Sequence, residues 1–129
     1  MFSSIHTSEK NKQTITDLTN KLQLGTENII ARIAFAYSLS LGEPLNLKKI
    51  SDSKGKEYSK KVLFGDNEPY YIAAICQFYG IYKSNQEIPR YIKMHLDHGL
   101  EQLHDKIGPN SNELGYDFLL KMIEGGGIL

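Results

Sequence analysis

A chain of 129 residues with one cysteine and no formal net charge fits a single compact domain, residues 1–129, and excludes a disulfide framework or thiolate metal cluster within one chain. It shows neither a signal-peptide core nor an apolar run of the roughly 20 residues a membrane span needs, so we expect a cytoplasmic protein without membrane contact. Residues 1–61 hold ten Lys or Arg against six Asp or Glu, and residues 62–129 hold five against nine. The neutral total therefore leaves a nucleic-acid partner open, because a phosphate backbone responds to a local basic patch.

Residues 1–42 predict a short strand followed by two helices. Residues 2–7 alternate weakly between apolar and polar, as a strand does, and Ser8 can cap the helix that follows. We expect that helix to end at Gly25, which suits a C-cap. Its apolar residues form one narrow stripe, which consists of Ile15, Leu18 and Leu22.

The second helix, for which Thr26 is the expected N-cap, is apolar on two faces. One face carries Ile29, Ile30, Ile33, Tyr37 and Leu41, and the other carries Phe35 and Leu39. The second face must be covered by later helices or by another copy of the chain. A strand and two helices in this order form the plan of a ribbon-helix-helix unit, in which strands of two chains pair antiparallel. This plan predicts an oligomer interface at Ile5, Phe35 and Leu39.

Residues 45–65 predict a basic loop, with lysines at positions 48, 49, 54, 56, 60 and 61. We expect an ordered or semi-mobile loop whose lysines are more mobile than those of a helix, so that holding them on DNA costs more conformational entropy per contact. The first helix offers Lys10, Lys12 and Lys21 on its solvent side, on a more rigid frame. These helix lysines are therefore the preferred phosphate contacts, with the loop as the competing site.

Residues 66–124 predict a helical portion, followed by a flexible glycine tail at residues 125–129. Asp66 can cap a helix that is apolar nearly all round, which predicts that this helix is buried. A long amphipathic helix is expected from near Pro89 to about Lys106, and a last helix from about Ser111 to Glu124.

His95 and His98 are the best candidates for a metal site, since residues three apart share a helical face. Asp97 and His104 point elsewhere on the same helix, and two ligands are fewer than a structural zinc site requires. We therefore predict no metal and no cofactor. Cys76 lies on a buried-looking helix as an inert thiol. No nucleophile and base stand at convincing spacing, so we predict that the chain is not an enzyme, with weak metal-dependent DNA nicking through the two histidines as an alternative.

Four stretches together resemble the DndE family, the small subunit of the bacterial DNA phosphorothioation (DNA sulfur modification) system. They are Arg32-Ile33-Ala34 leading to SLSLGEP, the basic loop, KVLFGDNEPYYIAAI, and IKMHLDHGLEQL. The likeness covers about residues 5 to 104 and is most specific at residues 38–44, 61–70 and 95–103.

The resemblance implies a mainly α, ribbon-helix-helix homo-oligomer, a dimer or tetramer, that binds double-stranded DNA with a preference for nicked duplex. It also implies partner subunits: a sulfur-activating protein, an iron–sulfur protein and an ATPase. The sulfur would come from a separate cysteine desulfurase, which agrees with an inert cysteine in this chain.

The predicted DNA-binding residues are nine lysines and one histidine, expected to contact the phosphate backbone without reading sequence. They are Lys10, Lys12, Lys21, Lys48, Lys49, Lys54, Lys56, Lys60, Lys61 and His6. A ribbon-helix-helix repressor or antitoxin is the other open interpretation. It would require a basic or amide-rich strand, and residues 2–8 are poor in both.

Overall fold

The computed structural model describes residues 2–107 and Leu120, so the predicted tail at 125–129 and, apart from Leu120, the predicted helix at 111–124 lie outside the described residues. The described chain is mainly helical, as predicted. Its strands are β1 (Ser4–His6) and β2 (Glu57–Ser59), and its helices are α1 (Glu9–Leu22), α2 (Glu27–Ser40), α3 (Lys60–Phe64), α4 (Glu68–Tyr79) and α5 (Ile88–Ile107). Short 3-10 helices lie at Leu47–Lys49 and Gly65–Asn67.

Helix α1 begins as the sequence predicts and ends earlier. The Ser8 hydroxyl accepts a hydrogen bond from the Asn11 amide at 3.2 Å, which is the expected N-cap contact. The C-cap is Gln23, not Gly25: Gln23 adopts the left-handed conformation with φ of 53°, and its N–H bonds to the Thr19 carbonyl. The predicted apolar stripe is fully buried.

The second apolar face of α2 is covered by later helices of the same chain. Phe35 is 0% exposed and packs edge-on against Phe64 and Tyr71, with ring centroids 5.5 and 5.8 Å away. Helices α2 and α5 touch at Gly99, where an added Cβ would lie 1.8 Å from the Ala34 carbonyl oxygen. Only glycine permits this close approach of the two backbones.

The burial of Phe35, together with Ile5 at 3% exposure, corrects the interface assignment of these two side chains. They are core residues of a single chain and offer no surface to a partner. Leu39 is partly buried and packs against the same core. The oligomeric state itself stays a prediction.

Strand β1 pairs with β2 of its own chain, although the sequence predicted pairing with the strand of a second chain. The pairing is antiparallel, with Ser4 opposite Ser59, Ile5 opposite Tyr58, and His6 opposite Glu57. Ile5 and Tyr58 both point into the core, which gives the two short strands a buried cross-strand pair.

The prediction that residues 45–65 form a basic loop is wrong, because these residues include a 3-10 helix, β2 and α3. Elements of three to five residues are too short to show a clear period in a lysine-rich sequence.

Helix α5 runs close to its predicted bounds, whereas α4 is less buried than expected. Asp66 lies in the preceding 3-10 helix and is not the cap of α4, whose N-cap position is Asn67. Of the α4 side chains only Ile72 and Ile75 are buried, and Tyr70 is 75% exposed. Helix α4 therefore lies on the outside of the core, because α5 takes the central position against α2.

Candidate nucleic-acid interface

Five of the predicted DNA-binding lysines are exposed and form no ion pair with another described residue. These are Lys12, Lys48, Lys49, Lys54 and Lys61. Four of the five lie between residues 48 and 61, and only one lies on α1. We call residues 46–61 the lysine segment. The distribution of exposed lysines therefore favours this segment over the first helix as the candidate site.

The remaining predicted residues have protein partners. Lys10 lies 3.8 Å from Glu101, Lys56 lies 3.2 Å from Glu27, and Lys60 lies 3.2 Å from Glu68. Lys21 also has a contact within the protein. His6 Nε2 lies 2.6 Å from a Glu57 carboxylate oxygen across the two-stranded sheet. Ion pairs of exposed side chains are weak, so a phosphate could compete for these cations. Each cation would first have to give up its present partner in the protein.

Local hydrogen bonds hold the lysine segment in place. The Asn46 side chain accepts from the Lys48 amide at 3.0 Å and opens the 3-10 helix that carries Lys48 and Lys49. Further along, Asp52 Oδ1 accepts from the Lys54 amide at 3.0 Å and from the Glu9 amide of α1 at 2.9 Å. These two backbone donors lower the pKa of Asp52. The segment is thus attached to α1, which favours the ordered alternative for this part of the chain.

Gly55 brings the same segment into contact with the start of α1. Its amide donates to the Thr7 carbonyl at 2.9 Å, and a Cβ at this position would lie 2.1 Å from the Ser8 carbonyl oxygen. The Thr7 amide in turn donates to the Lys56 carbonyl at 2.9 Å. A residue larger than glycine would push the lysines on either side of it away from α1.

A buried polar cluster joins this segment to α1 and α5. Asp97 is 4% exposed and its Oδ1 accepts from the Ser8 amide at 3.0 Å and the Asn11 side chain at 2.8 Å. Its Oδ2 accepts from Lys93 Nζ at 2.6 Å and the Ser51 hydroxyl at 3.1 Å. The Asp97 carboxylate thus accepts four hydrogen bonds, as the burial of a charged group requires.

The amino-acid sequence alone does not reveal this cluster as a connection between elements. The i,i+4 spacing of Lys93 and Asp97 on α5 was the available signal. The two partners from α1 and Ser51 have no local signature.

The two candidate metal ligands converge on a hydroxyl group. Ser38 Oγ of α2 lies 2.7 Å from His95 Nδ1 and 2.8 Å from His98 Nδ1, and the Tyr79 hydroxyl lies 2.6 Å from His95 Nε2. Burial, and to a lesser extent the neighbouring His98, lowers the pKa of His95 to about 4, so its ring is neutral near pH 7. A neutral imidazole donates from one nitrogen and accepts at the other, and both nitrogens of His95 are used here.

A metal ion at His95 would therefore have to displace the hydroxyl of Ser38 or of Tyr79. The nicking alternative stays a prediction. In the part of the chain that the structure describes, no three His, Cys, Asp or Glu side chains are grouped so as to hold a metal. Cys76 is partly buried and packs against the core. None of the described helices has the length and apolar character needed to cross a bilayer.

These features define a class: a small helical protein whose exposed lysines lie mainly on one ordered segment, and in which His95 and His98 bond to the buried Ser38 hydroxyl. The family model described as DNA sulphur modification protein DndE matches residues 4–111. The chain belongs to the DndE family, as the sequence motifs predicted.

Among solved structures, the chain is similar to the crystal structure of DndE from Escherichia coli B7A, which is described as involved in DNA phosphorothioation modification. The two are 17% identical in sequence, the alignment covers 81% of this chain and 99% of that chain, and the TM-score is 0.65. At this identity the likeness shows a shared fold. No curated protein matches the chain significantly.

Proposed function

We propose that this chain is a DNA-binding accessory subunit of a bacterial DNA phosphorothioation machinery and has no catalytic activity of its own. Membership of the DndE family supports the assignment to this modification system. Because the substrate of the system is DNA, the assignment also supports a cytoplasmic site of action. The observation that carries the DNA-binding role is the group of exposed lysines on the ordered segment 46–61 that form no ion pair within the described part of the chain. The chemistry of sulfur insertion belongs to other subunits in this proposal.

Lysine contacts suit recognition of the DNA backbone. A Lys ammonium is a point charge that neutralises a phosphate without reading a base, and phosphates are the atoms that phosphorothioation modifies. Base reading by β1 is not favoured, because β1 pairs with β2 and places Glu57 beside its single ionisable side chain, His6. A homo-oligomer, dimer or tetramer, would repeat the lysine segment along the duplex and raise its effective charge.

Fluorescence anisotropy with intact, nicked and single-stranded oligonucleotides tests the proposal. If four to six phosphates are engaged per assembly, the logarithm of affinity should fall with the logarithm of salt concentration with a slope of about −0.9 per phosphate. The comparison of the three substrates measures the preferred DNA structure. A salt-independent affinity, or no binding at low salt, contradicts the proposal.

Two multiple variants compare the candidate surfaces. In the segment variant, alanine replaces Lys48, Lys49, Lys54 and Lys61, and we expect weaker binding and a flatter salt slope. In the helix variant, alanine replaces Lys10, Lys12 and Lys21, and we expect a smaller loss of DNA affinity than in the segment variant. Lys83→Ala is the control, since Lys83 is exposed but lies in the connection between α4 and α5. If the helix variant loses binding and the segment variant does not, the assignment to the segment is wrong.

A further inference from the structure

Asp52 is an acidic residue in the middle of the lysine-rich segment, and its carboxylate is committed to the backbone. One oxygen, Oδ1, accepts from the Lys54 amide at 3.0 Å and from the Glu9 amide at 2.9 Å. The first contact closes the turn that presents Lys54. The second reaches 43 residues back along the chain to the first turn of α1.

The Glu9 amide is one of the donors that α1 leaves without a partner inside the helix. The first four N–H groups of a helix have no internal acceptor, and the positive end of the helix dipole favours a negative charge there. Ser8 supplies its hydroxyl to the Asn11 amide, and Asp97 accepts from the Ser8 amide. Asp52 thus contributes to the capping of α1 from a different part of the chain and attaches the segment to it.

On charge alone, this position of a carboxylate is unfavourable for a phosphate-binding surface. A negative charge near exposed lysines repels DNA, so its removal should strengthen binding. An ordering role has the opposite effect. When a flexible segment binds DNA it loses side-chain and backbone freedom, whereas a segment that is already ordered has lost that freedom on folding.

We propose that Asp52 is a positioning residue for DNA binding: it fixes the turn of Lys54 on the N-terminus of α1, so that the segment lysines meet the phosphate backbone already ordered. The inference rests on the proposed DNA-binding function and extends it to a residue that itself repels DNA. In this proposal, the affinity for DNA that is gained because the segment is already ordered exceeds the affinity that is lost because the carboxylate repels DNA.

Three variants separate order from charge. Asp52→Ala removes both acceptor and charge, and we expect its affinity for duplex DNA to fall about three- to tenfold, the range expected when one or two further groups must be immobilised on binding. Asp52→Asn keeps a carbonyl oxygen that can accept from both amides and removes only the charge, so we expect it to bind as well as wild type or better. Asp17→Ala is the matched control, because Asp17 is an exposed carboxylate on α1 that accepts from the Gln13 side chain of its own helix. It should bind like Asp52→Asn.

Hydrogen exchange without DNA supplies a second measurement. The Lys54 and Glu9 amides should exchange faster in Asp52→Ala than in wild type and keep their protection in Asp52→Asn, while circular dichroism confirms that all variants are folded. Equal or tighter binding by Asp52→Ala, or unchanged protection of the Lys54 amide, overturns the positioning role and leaves the proposed function intact. A wild-type protein that does not bind DNA overturns both.

Discussion

The buried pair of Lys93 and Asp97 allows a quantitative test of how the described chain is held together. The two side chains are 7% and 6% exposed, and Nζ and Oδ2 are 2.6 Å apart. Asp97→Asn preserves the shape but replaces one acceptor oxygen by an NH₂ group, which can only donate. In either orientation of the amide, this group faces a donor: Lys93 Nζ on one side, or the Ser8 amide on the other.

We expect Asp97→Asn to lower the free energy of unfolding by about 3 to 5 kcal/mol, the cost of leaving a buried ammonium without its counter-charge. Lys93→Met alone leaves the carboxylate with its three other donors, so its cost should be about 2 kcal/mol. The double variant contains no unpaired buried charge. It should therefore be more stable than the sum of the single changes predicts, with a coupling energy of about 2 kcal/mol.

Urea unfolding followed by circular dichroism at pH 7 measures all four proteins. Glu87→Gln is the control, because Glu87 pairs with Arg90 at an exposed site and this change should alter stability by less than about 0.5 kcal/mol. A loss below about 1 kcal/mol for Asp97→Asn, typical of a surface pair, would refute the reasoning. Strict additivity of the two changes would refute it as well.

Three further predictions concern the core. Gly99→Ala should destabilise the fold by about 3 kcal/mol in thermal melts, although alanine favours helix, because its Cβ overlaps the Ala34 carbonyl of α2; a melting temperature equal to that of wild type would contradict the close helix contact. Phe35→Glu should unfold the chain, as judged by circular dichroism, because it buries a charge in the core. A folded but smaller species in sedimentation would instead restore Phe35 as an interface residue. Since burial lowers the pKa of His95 from 6.5 to about 4, the neutral ring stabilises the folded state fully above pH 6.5. This contribution, at most about 3 kcal/mol, should be lost as the pH falls from 6.5 to 4, and urea midpoints of His95→Gln should lack this part of the pH dependence.

The sequence by itself determined the four longer helices, α1, α2, α4 and α5, and the family. A 3.6-residue period recurs over several turns in α1 and α5, so their apolar stripes could be predicted from local spacing, as could the Ser8 cap. The motifs that run from α2 into α5 predicted the DndE family, which the family model confirms over residues 4–111. The lysines of residues 46–61 could also be named in advance, because charge is read directly from the residue type, whereas their exposure could not.

Only the tertiary structure decided what covers the second face of α2 and what orders the lysine segment. The periodicity of α2 showed that Phe35 needs a cover but could not distinguish later helices of the same chain, here α3 and α4, from a second copy. The contacts that fix the segment join residues far apart in sequence: Asp52 to Glu9 across 43 positions, and Asp97 to Ser8 across 89. Such hydrogen bonds form between single polar groups and leave no repeating pattern along the chain. Their geometry exists only once the helices have packed, which is why residues 45–65 were predicted as a loop.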